Sequence, residues 1–162
     1  MKRKVKSLFL CQAAVIAASY VVLTYITHLF GLDAGFIQLR VSEMLCILPM
    51  FTPAAIPGLY VGCLLANVLT NAVWLDVLAG PIATLLGALG TYALRKYRWL
   101  APLPPIVANT VVVPFVLAYG YGMEQAIPIM MLTVGIGEVL SVYLLGMAFY
   151  FAIYKHAPRI FK

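Results

Sequence analysis

The chain has 162 residues, 64% of them hydrophobic and only 10% charged, with 11 Lys and Arg against 5 Asp and Glu and a mean hydropathy of +1.01. Soluble domains carry roughly a quarter charged residues, so a soluble fold is excluded and an all-α integral membrane protein is expected. The net charge of +6 requires no nucleic-acid partner, because Lys and Arg gather on the cytoplasmic side of membrane proteins and attract anionic lipid there.

The basic residues form three clusters: Lys2-Arg3-Lys4-Lys6, Arg95-Lys96-Arg98, and Lys155 with Arg159 and Lys162. Only Arg40 stands apart. If all three clusters share the cytoplasmic side, each apolar stretch between them crosses an even number of times. Four crossings before Arg95 and two after Arg98 give six transmembrane helices with both termini cytoplasmic, in one membrane domain over 1–162. Asp33, Asp76 and Glu124 fall where the outer turns are expected.

The first predicted helix covers about 8–30, long enough to span the hydrocarbon core. Its MKRKVK start resembles a signal peptide, but the apolar run is too long for one, so it is read as an uncleaved helix. GLDAG (31–35) is the first outer turn. The second helix, about 38–52, is short because Pro49, Pro53 and Pro57 oppose a long straight helix, and an inner turn is expected near 53–56. The third and fourth run over about 57–72 and 76–94, followed by the inner RKYR loop. The fifth, about 103–120, begins at APLPP and ends at the YGYGMEQ turn. The sixth covers about 126–154. No fixed-period repeat is visible.

Ionisable residues that cannot reach an interface are the informative ones, since each costs roughly 2.5–3.5 kcal/mol at mid-helix on insertion scales. Glu138, within GIGEVLS, is the clearest and admits two readings, helix glue or ligand site. Arg40 and Glu43 are three residues apart on the second helix, within pairing distance. They are read as a structural ion pair or as ligand contacts; if they pair, Glu138 and Asp76 are the carboxylates left for a ligand. Asn67, Asn71 and Asp76 line the outer ends of the third and fourth helices, with a helix cap for Asp76 and a turn for Asn71 as the architectural alternatives. Asn109 either bridges helices or joins the site. Trp74, Tyr119 and Tyr121 read as interfacial anchors or as a stacking wall, and His28 as interfacial. Ala13, Ala14, Ala17 and Ala18 form two interleaved small-xxx-small pairs that permit close helix approach. Cys11, Cys46 and Cys63 are isolated and read as packing residues, with no metal site or cofactor expected. No enzyme motif is present.

The stretch QLRVSEMLCILPMFTPAAIPGLYVGCLLAN (38–67) resembles the QueT family of queuosine-precursor transporters, which are substrate-binding S-components of energy-coupling factor (ECF) importers. The similarity continues through Asp76, Gly80 and ATLL (83–86), while Pro81 and the NAVWLD turn depart from the family's usual pattern. The resemblance implies a binding subunit in a prokaryotic plasma membrane, capturing a 7-deazaguanine-type queuosine precursor from outside. Its implied partners are a transmembrane coupling subunit and two ATPases, which hydrolyse ATP in its place. The helix 1 alanines would dock on the coupling subunit. Glu138 would accept the N–H donors of the guanine-like edge, and Asp76 would face a cationic aminomethyl arm. The alternative from another class is a stand-alone, dimeric, proton-coupled carrier using Glu138; a membrane enzyme would need clustered acid–base groups, and these are dispersed.

Overall fold

The computed structural model describes residues 2–33 and 37–161, so Ala34 and Gly35 of the first predicted turn, and Lys162 of the last basic cluster, lie outside the described residues. Every regular element among the described residues is helical: α1 (Lys2–Leu29), α2 (Val41–Met50), α3 (Ala55–Leu69), α4 (Trp74–Ala93), α5 (Leu103–Tyr119), α6 (Ile127–Tyr154) and the short α7 (Ala157–Ile160). Three stretches are long and apolar enough to cross a bilayer: Lys6–Leu29, Trp74–Ala93 and Ile127–Tyr154. The apolar helices α2, α3 and α5 are shorter.

Two elements depart from regular α-geometry. The expected α-helix at 38–52 is a ten-residue 3-10 helix with Pro49 inside it. Proline supplies no backbone N–H, and 3-10 runs of more than a few residues are uncommon. The segment before it is extended, with Arg40 at φ −110° and ψ 97°. Helix α6 is α-helical through Glu138, widens to a π-helix over Val139–Leu145, and becomes α-helical again from Gly146. Such π segments occur frequently at functional sites.

Small residues set how closely the helices approach. A Cβ on Gly58 would lie 2.8 Å from the Ala13 carbonyl oxygen, and one on Gly62 would lie 2.8 Å from Tyr20 Cβ and 3.0 Å from the Ala17 carbonyl. Helix α3 therefore lies against the backbone of α1 along Ala13 and Ala17. At the far end of α4, Gly87 and Gly90 leave room for Pro105 and Pro104 of α5. The main core joins Ile16 and Tyr20 of α1, Leu45 and Leu48 of α2, Leu59 and Cys63 of α3, and Val142 of the π turn. A second core clasps Val113 and Leu117 of α5 to Met130 and Val134 of α6.

Successive helices alternate in direction. The end of α1, the start of α2, the end of α3 and the start of α4 meet around one cavity, with Tyr121 from beyond α5. Met50, Phe51, Tyr154, Lys155 and Phe161 gather at the opposite end. These are called below the mouth end and the basic end.

Candidate functional site

Five helices each bury a carboxylate or carboxamide side chain, Glu43 on α2, Asn67 on α3, Asp76 on α4, Asn109 on α5 and Glu138 on α6, alongside smaller buried hydroxyls such as Thr27, Ser42 and Ser141. Ionisable side chains are almost never fully buried without partners, so where each finds its hydrogen bonds decides its role.

Glu43 does not pair with Arg40. Its Oε1 accepts a hydrogen bond from Tyr20 Oη of α1, and its Oε2 accepts one from Cys46 Sγ at 3.1 Å. The expected Arg40–Glu43 ion pair assumed that both stand on one regular helix. Arg40 instead occupies the extended segment that caps α2, and its guanidinium turns to α4, donating from Nη2 to Asp76 Oδ2 at 3.4 Å. Glu43 thus ties α1 to α2 through neutral donors, and Asp76 takes the cation.

Asp76 is not the cap of its helix, because Val73 holds that position. It lies three residues inside the first turn, where the unpaired N–H groups and helix dipole favour a negative charge. Asn67 Nδ2 donates to the Asp76 backbone carbonyl at 2.9 Å, joining α3 to α4. Gly80, one turn further along, keeps the space open: a Cβ there would fall 2.8 Å from Asn67 Nδ2 and 3.0 Å from Asp76 Oδ1. Among the described residues Asp76 Oδ1 has no partner.

These groups floor a cavity of about 240 Å³ at the mouth end, lined by Arg40, Ser42, Asn67, Asn71, Asp76 and Tyr121 together with Thr24, Thr27, His28, Asp33, Thr70 and Ala72. His28 Nδ1 and Asp33 Oδ2 make a hydrogen-bond contact of 2.9 Å on its rim, so His28 belongs to the cavity as well as to the end of α1. Thr24 Oγ1 donates to Ser42 Oγ at 2.8 Å within the wall. Asn71 has a positive φ of 54°, a conformation that asparagine tolerates better than most residues; it is a turn residue whose side chain also reaches the cavity. Trp74 lies outside it and is 70% exposed, the position of an interfacial anchor.

Glu138 and Asn109 are not among the residues that line the cavity. Both are buried, and Asn109 stands beside Glu138, with Arg40 and Glu43 within electrostatic reach. Glu138 Oε2 and Ser141 Oγ have no partner among the described residues. The four alanines divide. Ala13 and Ala17 are buried against α3, whereas Ala14 and Ala18 are exposed on the other side of α1.

Tyr20, Thr24, Ser42, Thr27 and Thr70 escaped the sequence reading, and Cys46, read there as a packing residue, donates to Glu43. Their signal was weak, because each is a common membrane-helix residue; only Tyr20, a phenol deep in an apolar helix, called for a polar partner. Among the described residues no cluster of His, Cys, Asp and Glu is arranged to hold a metal ion.

The sequence model of the family described as QueT transporter matches residues 10–155. A protein of Lactococcus lactis subsp. cremoris (strain MG1363), named Queuosine precursor transporter QueT, is 37% identical over 83 residues, covering 51% of this chain and 48% of that one. The chain thus spans about half the length of the curated relative it matches. No solved structure matches. Because the family model covers nearly the whole chain, including every buried polar residue described above, this chain belongs to the QueT transporter family.

Proposed function

We propose that this chain is a single membrane domain of six crossings with both termini cytoplasmic, acting as the substrate-binding subunit of an ECF importer in a prokaryotic plasma membrane. It captures a queuosine precursor of the 7-deazaguanine type at the outward mouth and releases it inward. A transmembrane coupling subunit and two ATPases supply the energy. The observation that carries this reading is the burial of a carboxylate or carboxamide on each of five helices, two of which, Asn67 and Asp76, line the cavity at the mouth end. A purely structural bundle has no use for that arrangement, given what intramembrane charge costs. The name of the Lactococcus relative supports the ligand class, and the family model supports transport over catalysis.

The sidedness follows from charge. The mouth end carries Asp33 and Asp76, while the Arg95–Arg98 cluster and Lys155 lie toward the opposite end. Short loops rich in Lys and Arg stay cytoplasmic. A cysteine introduced at Gln125 is therefore expected to label from outside whole cells, and one at Lys96 to stay protected; the reverse pattern refutes the topology. Purified protein in detergent is expected to bind 7-aminomethyl-7-deazaguanine in preference to guanine, measured by calorimetry. Uptake is expected only in cells that also express the coupling subunit and ATPases. Uptake without them, abolished by an uncoupler, would establish the proton-coupled carrier instead, with Glu138 as its proton site.

A further inference from the structure

The mouth cavity has a volume of about 240 Å³, and Glu138 is not among the residues that line it. Glu138 is 6% exposed, and nothing among the described residues donates to its Oε2. Ser141, 1% exposed, leaves its hydroxyl unpartnered as well. Buried polar atoms are rarely left without a partner, so Glu138 Oε2 and Ser141 Oγ call for one.

The deep group and the cavity are physically joined. Gly137 has no side chain, and the carbonyl of Gln38 occupies the place where its Cβ would stand. The extended Gln38–Arg40 segment therefore presses on α6 one residue from Glu138. Arg40, two residues further along, both lines the cavity and lies within the electrostatic field of Glu138. The Arg40–Asp76 bridge is a single contact of 3.4 Å. Its guanidinium sits on an extended segment rather than on a helix, where a small backbone change moves it.

We propose that Glu138, with Ser141 and Asn109, forms the inner half of the ligand site and accepts the adjacent N–H donors of a planar 2-aminopyrimidinone edge, leaving the ligand's substituent outward in the Arg40–Asp76 cavity. The inference rests on the 7-deazaguanine reading above and adds an orientation to it. A carboxylate accepts two parallel hydrogen bonds from neighbouring N–H groups, so the edge is read strictly. The substituent faces a hydrated mouth with hydroxyl, amide and charged groups of both signs, so it is read loosely.

The test is calorimetric titration of the full-length protein in detergent with three ligands. Two carry the 2-amino group and differ at position 7, one aminomethyl and one nitrile; the third is the aminomethyl compound without its 2-amino group. The first two are expected to bind within about tenfold of each other. The third is expected to bind about tenfold to a hundredfold more weakly, the penalty for one mismatched buried hydrogen bond. In Glu138→Gln, whose own NH₂ meets the edge with a donor, that gap is expected to shrink to about threefold or less. Glu138→Asp, which keeps the charge and withdraws it by one methylene, is expected to narrow the gap too and serves if the glutamine variant does not fold. A wild-type gap retained in full by either folded variant overturns the inference and leaves Glu138 as helix glue. A wild-type protein that binds none of the three overturns the function reading itself, and this inference with it.

Discussion

Arg40→Met tests the most consequential contact in the structure, because it separates the observed Arg40–Asp76 bridge from the Arg40–Glu43 pair that helical spacing suggests. Breaking a fully buried ion pair by removing one partner costs about 3–5 kcal/mol. The Arg40 side chain is 22% exposed and the contact is single and long, at 3.4 Å. The cost therefore falls below that range, at about 2 kcal/mol for removal of the cation, chiefly from leaving the Asp76 carboxylate, 4% exposed, unpaired. Asp76→Asn leaves the partner that can turn toward water, and is expected to cost about 1 kcal/mol or less. For a chain of this size each kcal/mol moves the melting temperature by about 2–4 °C, giving a loss of about 4–8 °C for Arg40→Met and at most about 2–4 °C for Asp76→Asn. The double variant should lose less than the sum, with a coupling of about 1 kcal/mol. Thermal unfolding of the four proteins in one detergent measures all of this. Two results would refute the reasoning: Asp76→Asn being the more damaging, or Arg40 coupling to Glu43 as strongly as to Asp76.

The alanines of α1 are expected to separate into two classes. Ala14→Leu with Ala18→Leu should leave ligand binding by the isolated protein intact and stop transport, as loss of a partner-docking face would; Ala13→Leu with Ala17→Leu should lower the melting temperature, and identical behaviour of the two pairs counts against the split. Gly62→Val is expected to cost about 1–3 kcal/mol by overpacking, since even a bare Cβ would meet Tyr20 Cβ at 2.8 Å. Because Tyr20 holds Glu43, this variant should also weaken ligand binding, and unchanged melting and binding together would mean that α1 and α3 separate freely.

Much of the helical frame is legible without coordinates, because hydropathy and punctuation are local properties. The predicted 57–72, 76–94 and 103–120 differ from Ala55–Leu69, Trp74–Ala93 and Leu103–Tyr119 by a few residues at each end. Membership of the QueT family is legible too, from the 38–67 stretch. The prolines around the second helix foretold its shortness, though not that it would wind as a 3-10 helix. Glu138 stood out because the cost of a mid-helix carboxylate depends on depth along its own helix, which the chain itself records.

What the sequence could not determine is which polar groups meet. Partners on different helices are chosen by the rotation and approach of those helices, and these are set by tertiary packing. The i, i+3 spacing of Arg40 and Glu43 describes a regular helix, whereas the extended segment at Arg40 sends the guanidinium to Asp76, 36 residues away. Likewise Tyr20 finds Glu43 because Gly58 and Gly62 let α3 close onto α1, fixing its rotation. The same closure decides which interleaved alanine pair faces inward, a choice on which a spacing of four residues is silent. Composition and local pattern determined that the chain is a helical membrane protein with a costly carboxylate in its sixth helix. Only the packing of α1, α2, α3, α4 and α6 about Gly62, Gly80 and Gly137 decided that Asp76 would be bridged, Glu43 satisfied and Glu138 left with an unpartnered oxygen.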